Sequence, residues 1–219
     1  LLRREVFAAA LEAAEDTPYG PHGDALAPED ADVNAEVDDG DEEPQELTLA
    51  YYADRSMNPY KSSDFTNRTL FSLIYQGLFS TSAEFEPVPM LCENYRVSAD
   101  YKIYTVYIHQ DAAFSDGSSV TIEDVLASYQ AAKDNKYYSG RFTHIAKMEI
   151  NEDGSLTFYL RTAVEDFLSL LDIPIVKAEQ VDAEHPLGTG PYIFESSLTG
   201  ARLRRNTAWW CSSPDLLIT

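Results

Sequence analysis

Cysteine is scarce in this 219-residue chain, where Cys92 and Cys211 are the two present. They lie far apart and fit no metal-ligand spacing, which argues against a structural zinc site and a disulfide-dense scaffold. The pair admits a disulfide in an oxidising compartment, but two buried free thiols are the expected state. Histidine is sparse too, with His22, His109, His144 and His185 scattered along the sequence. No H-E-x-x-H, G-x-S-x-G or P-loop pattern occurs. No catalytic residue, metal or cofactor is therefore expected, and an enzyme is the least favoured class. Long apolar runs are missing as well. The patch at residues 6–11 (VFAAAL) falls far short of the ~20 residues a spanning helix needs, and no signal peptide can be read.

Positive charge is in short supply. Sixteen Lys and Arg face 37 Asp and Glu, for a net charge of −21. Residues 1–46 hold 15 acidic residues against two arginines (−13), and residues 47–219 hold 22 against 14 (−8). A chain this acidic repels nucleic acid and anionic lipid surfaces, so neither is an expected partner. Residues 1–16, rich in Ala, Leu and Glu, suit a short helix. The stretch that follows, to residue 46, is dense in Asp, Glu, Pro and Gly and poor in large apolar side chains. It cannot bury enough surface to offset its ordering entropy, which makes residues 1–46 an acidic linker or spacer.

From residue 47 apolar periodicity appears. LTLAYY (47–52) reads as a strand. Ser63 or Asp64 can cap a helix through TNRTLFSLIYQGLF, in which Leu70, Phe71, Ile74 and Leu78 recur at helical spacing. IYTVYIH (103–109) alternates as a half-buried strand does. Thr121 and Asp124 form a capping-box pattern ahead of VLASYQAA. KMEINEDGSLTFYLR (147–161) reads as a hairpin turning at Asp153-Gly154. AVEDFLSLLD suits a short helix, and YIFESSLTGARLRRN two strands about a Thr-Gly turn. Strands and helices mix without a strict βαβ rhythm, which predicts an α/β or mixed α+β class with a partly antiparallel sheet.

Four stretches invite a chemical reading. HPLGTGPYIF (185–194) looks like a phosphate cradle, yet Pro191 lacks an amide hydrogen and a strand, not a helix, follows. Turn geometry is the better account, with Gly188 and Gly190 adopting conformations closed to other residues. In AFSDG, Phe114 is an apolar plug and Asp116-Gly117 a turn. Glu123-Asp124 sit in a first helical turn, where acids favour the macrodipole, rather than forming a catalytic pair. Trp209-Trp210 either pack the core or line a cleft, and the core is preferred for their large apolar area.

LTLAYYADRSMNPY, TLFSLIYQGLF, the run from PVPMLCENYRV to TIEDVLASY, HPLGTGPYIF and LRRNTAWW occur in one order. In that order they resemble the N-terminal half of the oligopeptide/dipeptide-binding family, family 5 of the extracytoplasmic substrate-binding proteins that serve ABC importers. The resemblance implies a partial periplasmic-binding-protein-like type II fold. Residues 47–64 and 162–219 would form a discontinuous, incomplete first lobe, and residues 65–161 a smaller inserted α+β domain. The second lobe would be absent. It implies a peptide captured in an interlobe cleft and handed to permease subunits. Another cargo (a metal chelate or oligosaccharide) and a truncated non-transport interaction module are the alternatives. The expected ligand contacts are Asn58, Pro59 and Tyr60 after the first strand, and Tyr137, Tyr138 and Arg141 in KDNKYYSGRF. Tyr and Arg suit that role through broad contact and a few hydrogen bonds. The implied location is extracytoplasmic, periplasmic or lipid-anchored. No cysteine precedes Cys92, so membrane attachment would need a lipid anchor upstream of Leu1.

Overall fold

The computed structural model describes residues 49–197 and 200–211. The expected helix over residues 1–16, the acidic segment to residue 46 and Thr199 of the expected Thr-Gly turn lie outside the described residues. So do Leu47 and Thr48 of the expected first strand, and its remainder, residues 49–52, forms no strand. The backbone of Tyr52 is paired with a side chain instead. Asn67 Oδ1 accepts from the Tyr52 N–H at 2.7 Å, and Asn67 Nδ2 donates to the Tyr52 carbonyl at 3.0 Å.

Asn67 belongs to helix α1 (Phe65–Thr69), whose N-cap Asp64 accepts from the Asn67 backbone N–H at 3.0 Å. The expected helix does not run on to residue 78. It tightens at Leu70, whose N–H bonds to the Asn67 carbonyl three residues back, restarts as α2 (Phe71–Ile74), and ends where Tyr75 turns extended. Thr69 contributes to the break, because its hydroxyl bonds to the Thr66 carbonyl at 2.7 Å and competes with the helical ladder. The apolar spacing still holds: Leu70, Phe71, Ile74 and Leu78 are all buried.

A small hairpin follows, β1 (Phe79–Thr81) against β2 (Pro87–Pro89). The main sheet comprises β3 (Cys92–Val97), β4 (Ile103–Ile108), β5 (Ile145–Ile150) and β6 (Leu156–Leu160). It is antiparallel throughout, in the order β3-β4-β6-β5. Between β4 and β5 lies helix α3 (Ile122–Lys133), and its capping box forms as expected. The Asp124 carboxylate accepts from the Thr121 N–H at 2.8 Å and from the Ala178 N–H at 2.7 Å, so it joins α3 to a distant segment. Tyr104 and Val106 of β4, Leu156, Phe158 and Leu160 of β6, and Val125 and Tyr129 of α3 meet in one core. The β5–β6 hairpin turns at Asp153-Gly154, with Gly154 at φ 78°, a conformation that favours glycine.

The expected helix in AVEDFLSLLD is a single 3-10 turn, Phe167–Leu170. A second hairpin, β7 (Tyr192–Ser197) and β8 (Gly200–Arg205), pairs Ser197 with Gly200 and leaves two residues between them. Its Phe194 and Leu203 pack on a second buried cluster formed by Met57, Leu70, Phe71, Ile74, Tyr75 and Val176.

Gly188 and Gly190 are needed for a different reason from the one expected. Neither has a left-handed φ; each lies against the backbone of α2. The Gly190 N–H donates to the Ile74 carbonyl at 2.8 Å, and the Ser115 N–H to the Gly188 carbonyl at 2.9 Å. A Cβ on Gly188 would stand 2.0 Å from Ile74 O, and one on Gly190 2.6 Å from Ile74 C. Close approach of two backbones, not an unusual turn, requires glycine here. The FSDG turn is architectural as expected, with Phe114 buried and Asp116 accepting from the Ser118 N–H at 2.9 Å. Both cysteines are free, Cys92 buried and Cys211 half-buried. Desolvation holds the Cys92 thiol pKa up at about 11.

Candidate functional site

The two stretches expected to touch a ligand, about 80 residues apart in sequence, meet in space. The Asn135 side chain donates to the Tyr60 carbonyl at 2.5 Å, and the Tyr137 hydroxyl to the Ser63 carbonyl at 2.8 Å. The Tyr60 and Tyr138 rings meet edge to face at 6.2 Å. Arg141 closes the group: its Nε and Nη2 donate to the two carboxylate oxygens of Asp172 at 2.5 and 2.7 Å, and its Nη1 to the Tyr137 carbonyl at 3.0 Å. Asn58, Pro59, Tyr60, Tyr137, Tyr138 and Arg141 therefore form one cluster.

Within it the side chains differ in what they can still do. Asn58 is buried and its amide is fully used. Nδ2 donates to the Val181 and Ala183 carbonyls at 2.8 and 2.6 Å, and Oδ1 accepts from the Tyr60 N–H at 2.8 Å. It holds the loop in shape and ties it to residues 181–183, just ahead of the glycine loop. The Tyr60 hydroxyl donates to the Pro174 carbonyl, and burial pushes the pKa of this phenol far up. Desolvation also raises the Tyr138 phenol, against the lowering pull of Arg68. The hydrogen bonds that Arg141 donates to Asp172 raise the Arg141 pKa, so Arg141 is a permanent cation already neutralised by that carboxylate. Tyr137 is the member with a broad exposed face, 36% accessible.

Arg68, which the sequence reading did not single out, lies at the centre of this group. Its guanidinium carbon is 3.9 Å from the centroid of the Tyr137 ring, 5.2 Å from that of Tyr138 and 5.7 Å from that of Phe71. One arginine in an otherwise neutral helical stretch gives no sequence signal. The convergence of α1 with residues 135–141 reveals it.

A second polar node lies where α2 meets the end of the described chain. The indole N–H groups of Trp209 and Trp210 both point at Gln76 Oε1, at 3.4 and 3.0 Å, and Trp209 Nε1 also donates to the Thr189 carbonyl at 3.0 Å. The His109 ring lies 5.2 Å from Trp210. Both tryptophans are half-buried: Trp210 packs against the main core as preferred, and both indole N–H groups find polar partners at its rim. Gln76 Nε2 and Thr189 Oγ1 are buried there without a hydrogen-bond partner among the described residues. A recess of about 50 Å³ beside the glycine loop, lined by Ile74, Tyr75, His185 and Phe194, is too small for a peptide. Among the described residues no group of three His, Cys, Asp or Glu is placed to hold a metal. No described helix is long and apolar enough to cross a membrane.

Residues 86–216, more than half of the chain, match the model of the bacterial extracellular solute-binding proteins, family 5 Middle. Among curated proteins the chain is 32% identical over 152 residues to the glutathione-binding protein GsiB of Pectobacterium atrosepticum, which covers 64% of this chain and 29% of the relative. It is 29% identical over 153 residues to GsiB of Escherichia coli O1:K1, covering 64% and 30%. Among solved structures, AgaA from A. tumefaciens R10 in complex with agropinic acid aligns with a TM-score of 0.63 at 25% identity, covering 72% of this chain and 35% of that one. The substrate-binding domain of an oligopeptide ABC transporter from Bacillus anthracis aligns at 0.60 and 23% identity, covering 71% and 36%. NikZ of Campylobacter jejuni in complex with Ni(L-His) gives 0.60 and 23%, covering 74% and 35%. The fold is thus a partial periplasmic-binding-protein-like type II fold, as the motifs implied. The chain spans about a third of the length of these relatives.

Proposed function

This chain belongs to the bacterial extracellular solute-binding proteins of family 5, and on that premise we propose that it is part of a peptide-capturing component of an ABC importer. The ligand is taken into a cleft between two lobes outside the cytoplasmic membrane and passed to permease subunits. Residues 47–64 and 162–219 belong to the first lobe and residues 65–161 to the inserted domain. The opposing lobe completes the cleft, and ligand buried between the lobes favours the closed state through the contacts made there.

The observation that carries this reading is the convergence of the Asn58-Pro59-Tyr60 loop with Tyr137, Tyr138 and Arg141. Asn58, Tyr60 and Tyr138 are fixed by internal hydrogen bonds and ring contacts. They therefore act by holding the wall, while Tyr137 presents its accessible face to the ligand. A preorganised aromatic wall costs little entropy on binding and tolerates many side chains, which suits mixed peptides. A lipid anchor would keep the protein at the outer face of the cytoplasmic membrane.

Calorimetry on the full-length protein with di-, tri- and oligopeptide mixtures tests the cargo. Heat release with saturable binding is expected. Binding of a nickel–histidine chelate or an opine with no response to any peptide would reassign the cargo within the family. A Tyr137→Ala protein should bind the peptide ~5- to 30-fold more weakly, as loss of an aromatic contact does.

A further inference from the structure

Arg68 is a cation held in place without an anion. Among the described residues no carboxylate lies within the 4.0 Å ion-pair distance of its guanidinium. Arg141 is bound to Asp172, and Arg202 and Arg204 share Glu195. The acids near Arg68 are committed elsewhere, Asp64 to capping α1 and Asp172 to Arg141. Its side-chain hydrogen bonds go from Nη1 to the Pro59 carbonyl at 3.3 Å and from Nη2 to the Tyr138 hydroxyl at 3.4 Å. Both are long bonds to neutral oxygens, and a guanidinium carries five N–H donors.

Orientation makes this more than a spare charge. The guanidinium carbon lies 3.9 and 5.2 Å from the ring centroids of Tyr137 and Tyr138, so ring contacts hold it in place before any ligand arrives. The two hydrogen bonds use two of its five N–H donors and leave three for the two oxygens of a carboxylate. Lys136 Nζ lies 4.8 Å from the same Tyr137 ring, which adds a second positive charge in a strongly acidic protein. Phe65, three residues before Arg68 and on the same face of α1, is 65% exposed, and Tyr137 is partly exposed.

We propose that Arg68 is the carboxylate anchor of the ligand site, with Phe65 and Tyr137 as the apolar contacts next to it. The ligand class is a small solute with a free carboxylate, either a peptide C-terminus or the carboxylate of an amino-acid conjugate. The proposal rests on the site described above and adds the ligand chemistry that it selects.

Two measurements on the full-length protein test it. The first follows arginine Nε–Hε resonances during titration with N-acetylglycine and with N-acetylglycinamide. The Arg68 resonance, identified by its loss in R68Q, should move with the acid alone. No movement, or equal movement with both compounds, overturns the anchor. The second is calorimetry with trialanine and trialanine amide. R68Q should weaken trialanine ~10- to 100-fold, as loss of a charge-assisted fork does, and leave the amide unchanged. Equal binding of acid and amide by the unaltered protein overturns the anchor and keeps peptide cargo. A resonance shift with N-acetylglycine but no trialanine binding keeps the anchor, overturns peptide cargo and points to an amino-acid conjugate. Should R68Q fail to fold, R68K keeps the charge but loses the fork. It should bind trialanine several-fold more weakly, and affinity equal to that of the unaltered protein overturns the proposal.

Discussion

Replacing Gly188 by alanine adds one methyl group at the point where the glycine loop meets α2. An ideal Cβ there lies 2.0 Å from the Ile74 carbonyl oxygen, 2.8 Å from Tyr75 Cδ1 and 2.9 Å from the Ile74 carbonyl carbon. Carbon and oxygen need well over 3 Å, so the two backbones must separate by roughly 1 Å or more, in a tightly packed interior that resists such shifts. Separation breaks or stretches the bonds from Gly190 N–H to Ile74 O and from Ser115 N–H to Gly188 O. Each buried group left unpaired costs about 1–3 kcal/mol, and the overpacking itself about 1–3 kcal/mol. The expected loss for G188A is therefore about 3–5 kcal/mol, enough to unfold a marginal domain. Gly140 is the control: a Cβ there meets nothing within 4 Å, and its φ is not left-handed. G140A should be neutral or stabilising by about 0.4–1 kcal/mol through the unfolded chain. Urea denaturation of the two variants beside the unaltered protein measures both. A loss under about 1 kcal/mol for G188A would refute the close approach, since overpacking alone costs more.

Three further outcomes are expected. A double-mutant cycle on Arg141→Ala and Asp172→Ala should give a coupling of about 1–3 kcal/mol, because the pair is bidentate and largely shielded; a coupling near zero would mean the pair is solvated. Gln76→Ala removes the acceptor shared by two indoles and should cost about 1–3 kcal/mol, with red-shifted tryptophan emission; unchanged emission would contradict the shared contact. Stability should fall as pH rises above 9. Burial raises the Cys92 pKa from 9.0 to about 11, so the folded state keeps a proton that the unfolded chain releases, and stability drains between those values. Tyr60, Tyr75, Tyr129 and Tyr138 are shifted upward by burial and act in the same direction above pH 10. Denaturation at pH 7, 9 and 11 should show about 2–3 kcal/mol less pH-linked loss in C92A, the equivalent of moving one thiol back to its ordinary range.

Short-range chemistry was legible from the residues alone. The Thr121/Asp124 capping box, the alternation through β4, the Asp153-Gly154 turn and the apolar spacing of Leu70, Phe71, Ile74 and Leu78 all depend on neighbours within a few positions. The motif order carried the family. Features that depend on partners far along the chain were not legible. The helix expected to reach residue 78 breaks at Leu70, and residues 49–52 pair with the Asn67 side chain instead of a strand. Gly188 and Gly190 read as turn formers, yet it is the distant Ile74 backbone that excludes a Cβ. Six of the cluster residues were expected as ligand contacts from the resemblance, and Arg68 at their centre was not. Which of them are used up internally, and which cation stands among them unpaired, follows only from packing. Backbone propensity and capping are local energies written in consecutive residues, whereas burial, ion pairing and close approach are set by residues that folding brings together.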